Sequence, residues 1–164
     1  MAAQTYLTLT TKNPFHTENL ARSISNYVQG GDIIALSGDL GTGKTLFARA
    51  FIMALGHLGE VPSPTFTLLE TYDLNGKTVN HLDLYRLETM DDIFELGIEE
   101  IFSYNISLIE WPERLGTNIP KDRLHITFDY TQDAAATTNR FVKIQGLGTW
   151  ESRFLDLCNE IGHA

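Results

Sequence analysis

The stretch best equipped for chemistry in this 164-residue chain is Gly38-Asp39-Leu40-Gly41-Thr42-Gly43-Lys44-Thr45. It fills every fixed position of the phosphate-binding pattern G-x-x-x-x-G-K-[ST]. Glycines let a backbone wrap closely around a polyphosphate with several N–H groups turned inward. A helix beginning at the loop adds partial positive charge where the anion sits. Lys44 is placed to reach the terminal phosphates, and the Thr45 hydroxyl to ligate Mg²⁺. The flanks agree. Residues 32–37 read as a short apolar strand, and Leu46, Phe47, Ala50, Phe51, Ala54 and Leu55 recur at helical spacing until Gly56 offers a stop. Strand, glycine loop and helix together predict a nucleoside-triphosphate site.

A second acid should stand near that loop. Ile106-Ser107-Leu108-Ile109 is a run expected of a buried central strand, and it ends in Glu110. Ligands of open α/β sheets sit beyond the carboxyl ends of the strands. A carboxylate there is costly unless hydrogen bonds, water or a cation satisfy it, and the obvious cation is the Mg²⁺ held by Thr45. Glu110 could also orient or activate the attacking water. Asp83 competes for the same role. Alternation along His81-Leu82-Asp83-Leu84-Tyr85 puts Leu82 and Leu84 on one face and His81, Asp83 and Tyr85 on the other. That polar face could look towards the phosphates or towards solvent. His81 is read as a structural histidine.

Ser63-Pro64-Thr65 follows the phosphate-loop helix, where nucleotide-dependent switch loops sit. On local chemistry alone it is a turn whose hydroxyls bond its own backbone. Trp111 falls opposite Glu110 by strand alternation, which predicts core packing or a partner contact. Arg49 and Arg86 lie near the motifs in sequence and are read as surface or structural ion-pair residues.

The elements that must position these groups follow from periodicity and turn chemistry. A first strand is expected over residues 6–10, then a helix capped by Thr17 that carries Leu20, Ile24, Tyr27 and Val28 inward and ends at Gly30-Gly31. Residues 57–64 form a linker stiffened by Pro62-Ser63-Pro64. Residues 65–72 and 78–85 read as strands joined by Asn75-Gly76, a hairpin turn. Two turn residues cannot make a parallel crossover, so the sheet must mix parallel and antiparallel strands. Short helices around Ile93 and residues 98–102 precede the central strand. Residues 124–130 and 140–145 suggest an antiparallel pair joined by a polar loop, and Trp150, Phe154, Leu157, Cys158 and Ile161 stripe a last helix. The expected fold is α/β: a three-layer P-loop NTPase fold with a mixed sheet, one ATPase domain over residues 1–164.

Composition narrows the partners. Hydrophobic residues make up 43% and charged residues 20%, as in ordinary globular chains. No apolar run approaches a membrane span, and the N-terminus lacks a basic start followed by an apolar run, so a cytoplasmic location without membrane contact is expected. The lone Cys158 has no internal disulfide partner. Net charge is −9, with only 12 Lys and Arg, which argues against unaided nucleic-acid binding and leaves any RNA to be held by a partner.

Four segments together, residues 38–45, Ser63-Pro64-Thr65-Phe66-Thr67-Leu68, His81-Leu82-Asp83-Leu84-Tyr85-Arg86-Leu87 and Ile109-Glu110-Trp111-Pro112, resemble the bacterial TsaE family in content, order and spacing. Glu95-Leu96-Gly97-Ile98 is similar as well, whereas the first thirty and last fifty residues match only in layout. The resemblance implies a P-loop ATPase using ATP and Mg²⁺. It would work with TsaB and TsaD to form threonylcarbamoyladenosine at position 37 of tRNAs reading codons that begin with adenine, with the tRNA held through the complex. Carried over, Gly38 to Thr45 and Thr65 bind nucleotide, Thr45, Glu110 and Asp83 serve the metal, and Glu110, Asp83 and Lys44 serve hydrolysis. The loop at residues 131–139 looks lineage-variable and uninformative. Two rivals remain on residue grounds. A small-molecule kinase would use the same loop, but no Arg-rich lid is visible. A GTP-dependent switch ranks lower, because N-K-x-D is absent.

Overall fold

The computed structural model describes residues 6–133 and 135–163. Its elements run β1 (Tyr6–Thr11), α1 (Pro14–Ser25), β2 (Ile33–Ser37), α2 (Lys44–Ala54), β3 (Leu69–Leu74), β4 (Lys77–Asp83), α3 (Met90–Glu95), α4 (Ile98–Tyr104), β5 (Ile106–Glu110), β6 (Arg123–Tyr130), β7 (Arg140–Leu147) and α5 (Glu151–His163). The strands form one seven-stranded sheet in the order β1-β7-β6-β2-β5-β4-β3. Strands β6, β2, β5 and β4 are mutually parallel, while β7 and β3 run against them at the flanks. The mixed sheet expected from the Asn75-Gly76 hairpin is present, with both turn residues at positive φ, 49° and 81°.

Alternation along the central strands sends apolar side chains to both faces. Ile34, Leu36, Ile106 and Leu108 pack with α1, α2 and α5 through Ile24, Phe47, Phe51 and Phe154. Ile33, Leu82 and Ile109 pack the other way, with Ile93 of α3 and Ile98 of α4. Two helical layers therefore enclose the sheet. β2 and β5 lie at its centre and leave only Ser37 partly exposed, which is why both are near-continuous apolar runs. The bidentate ion pair of Arg153 with Asp32, at 2.9 and 2.7 Å, ties α5 to the entry of β2.

Several local expectations are corrected. Asn13, not Thr17, caps α1: its side chain accepts from His16 N at 3.0 Å, and Pro14 supplies the first helical residue. Thr17 lies one turn inside, buried, with its hydroxyl on Thr11 Oγ1 at 3.2 Å. The strand expected from residue 65 begins only at Leu69. Residues 65–68 turn instead, closed by Leu68 N donating to Pro64 O at 2.8 Å, with Leu68 left-handed at φ 63°. Arg49 and Arg86 are exposed as expected, but neither makes an ion pair among the described residues. Arg49 donates to Val61 O at 2.9 Å, and Arg86 lies over the Phe66 ring at 4.3 Å. Among the described residues no helix is long and apolar enough to cross a membrane.

Candidate nucleotide-binding site

Parallel pairing brings the carboxyl ends of β2, β5 and β4 side by side. Leu36 pairs with Glu110, and Glu110 with Asp83, so the phosphate loop leaving β2 meets both acids without any long-range accident. The parity that points Leu108 towards α2 also points Glu110 there, and the same holds for Val79, His81 and Asp83 on β4.

The loop is built on left-handed glycines, Gly38 at φ 141°, Gly41 at 79° and Gly43 at 113°. Gly38 also sits where no side chain fits: a Cβ there would meet the Phe128 carbonyl oxygen and the Thr42 hydroxyl. Gly38→Ala is expected to destabilise the protein by about 2 kcal/mol and to distort the loop, as measured by denaturant midpoint and nucleotide titration. Lys44 is buried and folds back on the loop, donating to Gly38 O at 2.6 Å and Asp39 O at 2.9 Å. Desolvation pulls its ammonium below the ordinary lysine value, opposed by Glu110, Glu113, Asp83 and Asp39. Thr45 Oγ1 donates to Glu110 Oε1 at 2.6 Å. Glu110 is 1% exposed, and its Oε2 accepts from His81 Nε2 at 2.9 Å. Asp83 takes the Thr65 hydroxyl on Oδ2 and Tyr85 N on Oδ1, each at 3.0 Å.

These groups border a cleft of about 570 Å³, ordinary for a cofactor-sized ligand. Leu40 to Thr45, Thr65, Asp83 and Glu110 line it, whereas Gly38 and Asp39 contribute from behind through the carbonyls that hold Lys44. Thr65 and Asp83, both lining the cleft, are thus bonded to each other, and Ser63 Oγ lies 2.8 Å from the same Thr65 hydroxyl. The polar face of β4 looks towards the loop, not towards solvent.

Trp111 meets the alternation argument and adds to it: it packs against the cluster of Leu82, Ile109 and Leu115 on the face opposite Glu110, as expected, and it also lines the cleft. β5 ends at Glu110, and Trp111 adopts a left-handed φ of 58°, which alternation along a continuing strand does not foresee. The ring lies 4.3 Å from Lys44 Nζ and 5.0 Å from the Tyr85 ring. The β6–β7 connection also proves informative, because Thr137, Thr138 and Arg140 form one wall. Tyr130 donates to Leu40 O at 2.7 Å and Arg140 reaches Gly41 O at 3.4 Å, so this hairpin grips the outer loop. No sequence signal marked them. Asn13 and Pro14, by contrast, reach the cleft simply because they begin α1.

Behind the loop, Arg123 Nε donates to His125 Nδ1 at 3.1 Å, which leaves Nε2 to donate its proton to Ser37 Oγ at 2.8 Å. Burial, then Arg123 and Lys143, lower the His125 pKa to about 4. The unfolded chain takes up a proton that the folded chain refuses. The stabilisation is therefore complete above about pH 6.5 and is lost on acidification towards pH 4. The full displacement corresponds to about 3 kcal/mol, reduced to about 2 kcal/mol by the ring's partial exposure. Urea midpoints at pH 7.5 and 4.5 should therefore differ more for the wild type than for His125→Gln.

Known proteins place this arrangement. A family model described as threonylcarbamoyl adenosine biosynthesis protein TsaE matches residues 11–140. A Rickettsia bellii protein named tRNA threonylcarbamoyladenosine biosynthesis protein TsaE is 39% identical over 118 residues, 71% of this chain and 82% of its own. A Bacillus subtilis protein of the same name is 33% identical over 152 residues, 92% of this chain and 90% of its own. The crystal structure of Bacillus subtilis YdiB superposes with a TM-score of 0.74 at 28% identity, covering 96% of this chain and 95% of that one. The sheet order, the phosphate loop on β2 and that superposition make this a P-loop NTPase fold. The chain belongs to the TsaE family.

Proposed function

We propose that this protein is a magnesium-dependent ATPase acting in formation of the threonylcarbamoyl group on adenosine 37 of tRNAs that read codons beginning with adenine. It does so with TsaB- and TsaD-like partners that hold the tRNA. The observation that carries the catalytic half is the 2.6 Å contact between the Thr45 hydroxyl and the buried Glu110 carboxylate. The pathway half rests on the family.

The residues suit Mg²⁺. By donating its proton to Glu110, Thr45 keeps its oxygen lone pairs for a cation. Magnesium uses one or two carboxylates together with water and substrate phosphates, so Glu110, Asp83 and Thr45 are a sufficient protein contribution. Bound there, the ion would supply charge neutralisation for the transferred phosphoryl group. Loop amides and Lys44 hold the phosphates. Glu110 orients the attacking water and accepts its proton. Asp83 holds Thr65 at the cleft, so the residue 63–68 turn can respond to the terminal phosphate. The −9 charge fits a subunit that leaves tRNA to its partners.

The test is ATP hydrolysis by the purified protein alone and with its TsaB and TsaD counterparts, beside a Lys44→Ala control. Turnover is expected to be slow alone and strongly stimulated by the pair, with stimulation lost in the control. Turnover that is already fast alone and indifferent to the pair overturns the assignment to the complex.

A further inference from the structure

Sequence alone reads His81 as structural, yet its ring meets the carboxylate to which the proposed mechanism assigns the attacking water. It sits on β4 opposite Leu108, two pairs behind the Asp83–Glu110 pair and so on the same face, the one turned to α2. His81 is 0% exposed and Glu110 1%. The carboxylate's two oxygens are divided between two donors, Oε1 receiving Thr45 and Oε2 receiving His81. A carboxylate only accepts, so the His81 proton facing it is on Nε2. His81 Nδ1, buried, has no partner among the described residues. Every hydrogen bond the ring side chain makes therefore goes to Glu110.

We infer that His81 is a positioning residue for the cation site. The inference rests on the proposed magnesium-dependent ATPase. Glu110 has one free torsion set and two oxygens, and without a donor behind it the carboxylate can rotate away from Thr45. Nε2–H pins Oε2, which holds Oε1 on the Thr45 hydroxyl, which in turn keeps the Thr45 lone pairs free for a cation. His81 is fully buried and does not line the cleft. It acts through Glu110, as outer partners of metal-binding groups do.

The test exploits the geometry of two amides. In His81→Gln the side-chain nitrogen extends to the place of Nε2, whereas in His81→Asn it stops at the place of Nδ1. The readouts are the Mg²⁺ concentration at half-effect in binding of a fluorescent ATP analogue, and ATP turnover. His81→Asn should raise the Mg²⁺ midpoint about tenfold and lower kcat about 10- to 100-fold, with metal-free nucleotide affinity within about twofold of wild type. His81→Gln should stay within about threefold of wild type in both. In a Glu110→Gln background, His81→Asn should add no further shift, because the partner through which it acts is gone. Should His81→Asn fail to fold, His81→Phe, which keeps the ring but has no donor, takes its place beside His81→Gln: a raised Mg²⁺ midpoint in Phe with a wild-type midpoint in Gln supports the role, and equal midpoints in the two overturn it. Equal impairment of Gln and Asn, an unchanged Asn variant, or a shift that persists in the Glu110→Gln background also overturns it. Failure of the ATPase reading looks different, since the wild type itself would then show neither turnover nor Mg²⁺ dependence.

Discussion

Glu110→Gln is expected to bind ATP with near wild-type affinity and to hydrolyse it about 10³-fold more slowly, the scale of a lost general base at a preorganised site. The substitution preserves shape, so Lys44 and the loop amides keep the phosphates. It removes the charge to which the proposed mechanism assigns the water's proton. Only one of the new amide's ends can accept. If oxygen stays on Thr45, the NH₂ group faces His81 Nε2, and the ring must shift its proton to Nδ1, where the described residues offer no acceptor. Single-turnover hydrolysis beside an equilibrium binding titration separates the two effects. A variant that binds ATP weakly but turns over normally at saturation would remove Glu110 from the chemistry.

Lys44→Ala should weaken ATP binding by about 100-fold, equivalent to about 3 kcal/mol. The free protein should lose little stability. Lys44 now donates to two loop carbonyls at 2.6 and 2.9 Å. Those bonds offset the desolvation that lowers its pKa, so removing both together nearly cancels. Isothermal titration and a thermal melt check the two halves. A large melting loss with intact affinity would mean that Lys44 serves the loop rather than the ligand.

Much of this site was legible because short-range rules govern it. The phosphate loop announces itself by composition, and period-two alternation placed Asp83 with His81 on one face of β4. Which way that face looks was not legible, because it depends on β4 pairing with β5, a choice made across the sheet. The same pairing turns His81 from a bland residue into the neighbour of Glu110. Residues 65–68 misled for a local reason: Thr-Phe-Thr-Leu alternates like a strand, yet an i to i+4 hydrogen bond and a left-handed Leu68 make a turn. As a strand it would have lacked the curl that lays Thr65 on Asp83. Trp111 was legible in part: alternation put it with the core cluster opposite Glu110, but its place at the cleft depends on the left-handed turn just past the strand's end. Tyr130 and Arg140 touch the loop from 90 and 99 residues away, a separation no local pattern encodes.

The central place of β2 has a consequence for how the chain is made. Both of its neighbours, β5 and β6, are synthesised long after it, since Ile34 pairs with Leu108 on one side and Leu124 on the other. At about 5–20 residues per second, the ribosome leaves the Ile33-Ile34-Ala35-Leu36 run without a strand partner for roughly ten seconds. A segment destined for the centre of the sheet is thus, on the nascent chain, a bare apolar edge. The protein's yield in the cell should depend on holding chaperones until the second half has emerged, and the phosphate loop stands without its neighbouring acid Glu110 until then.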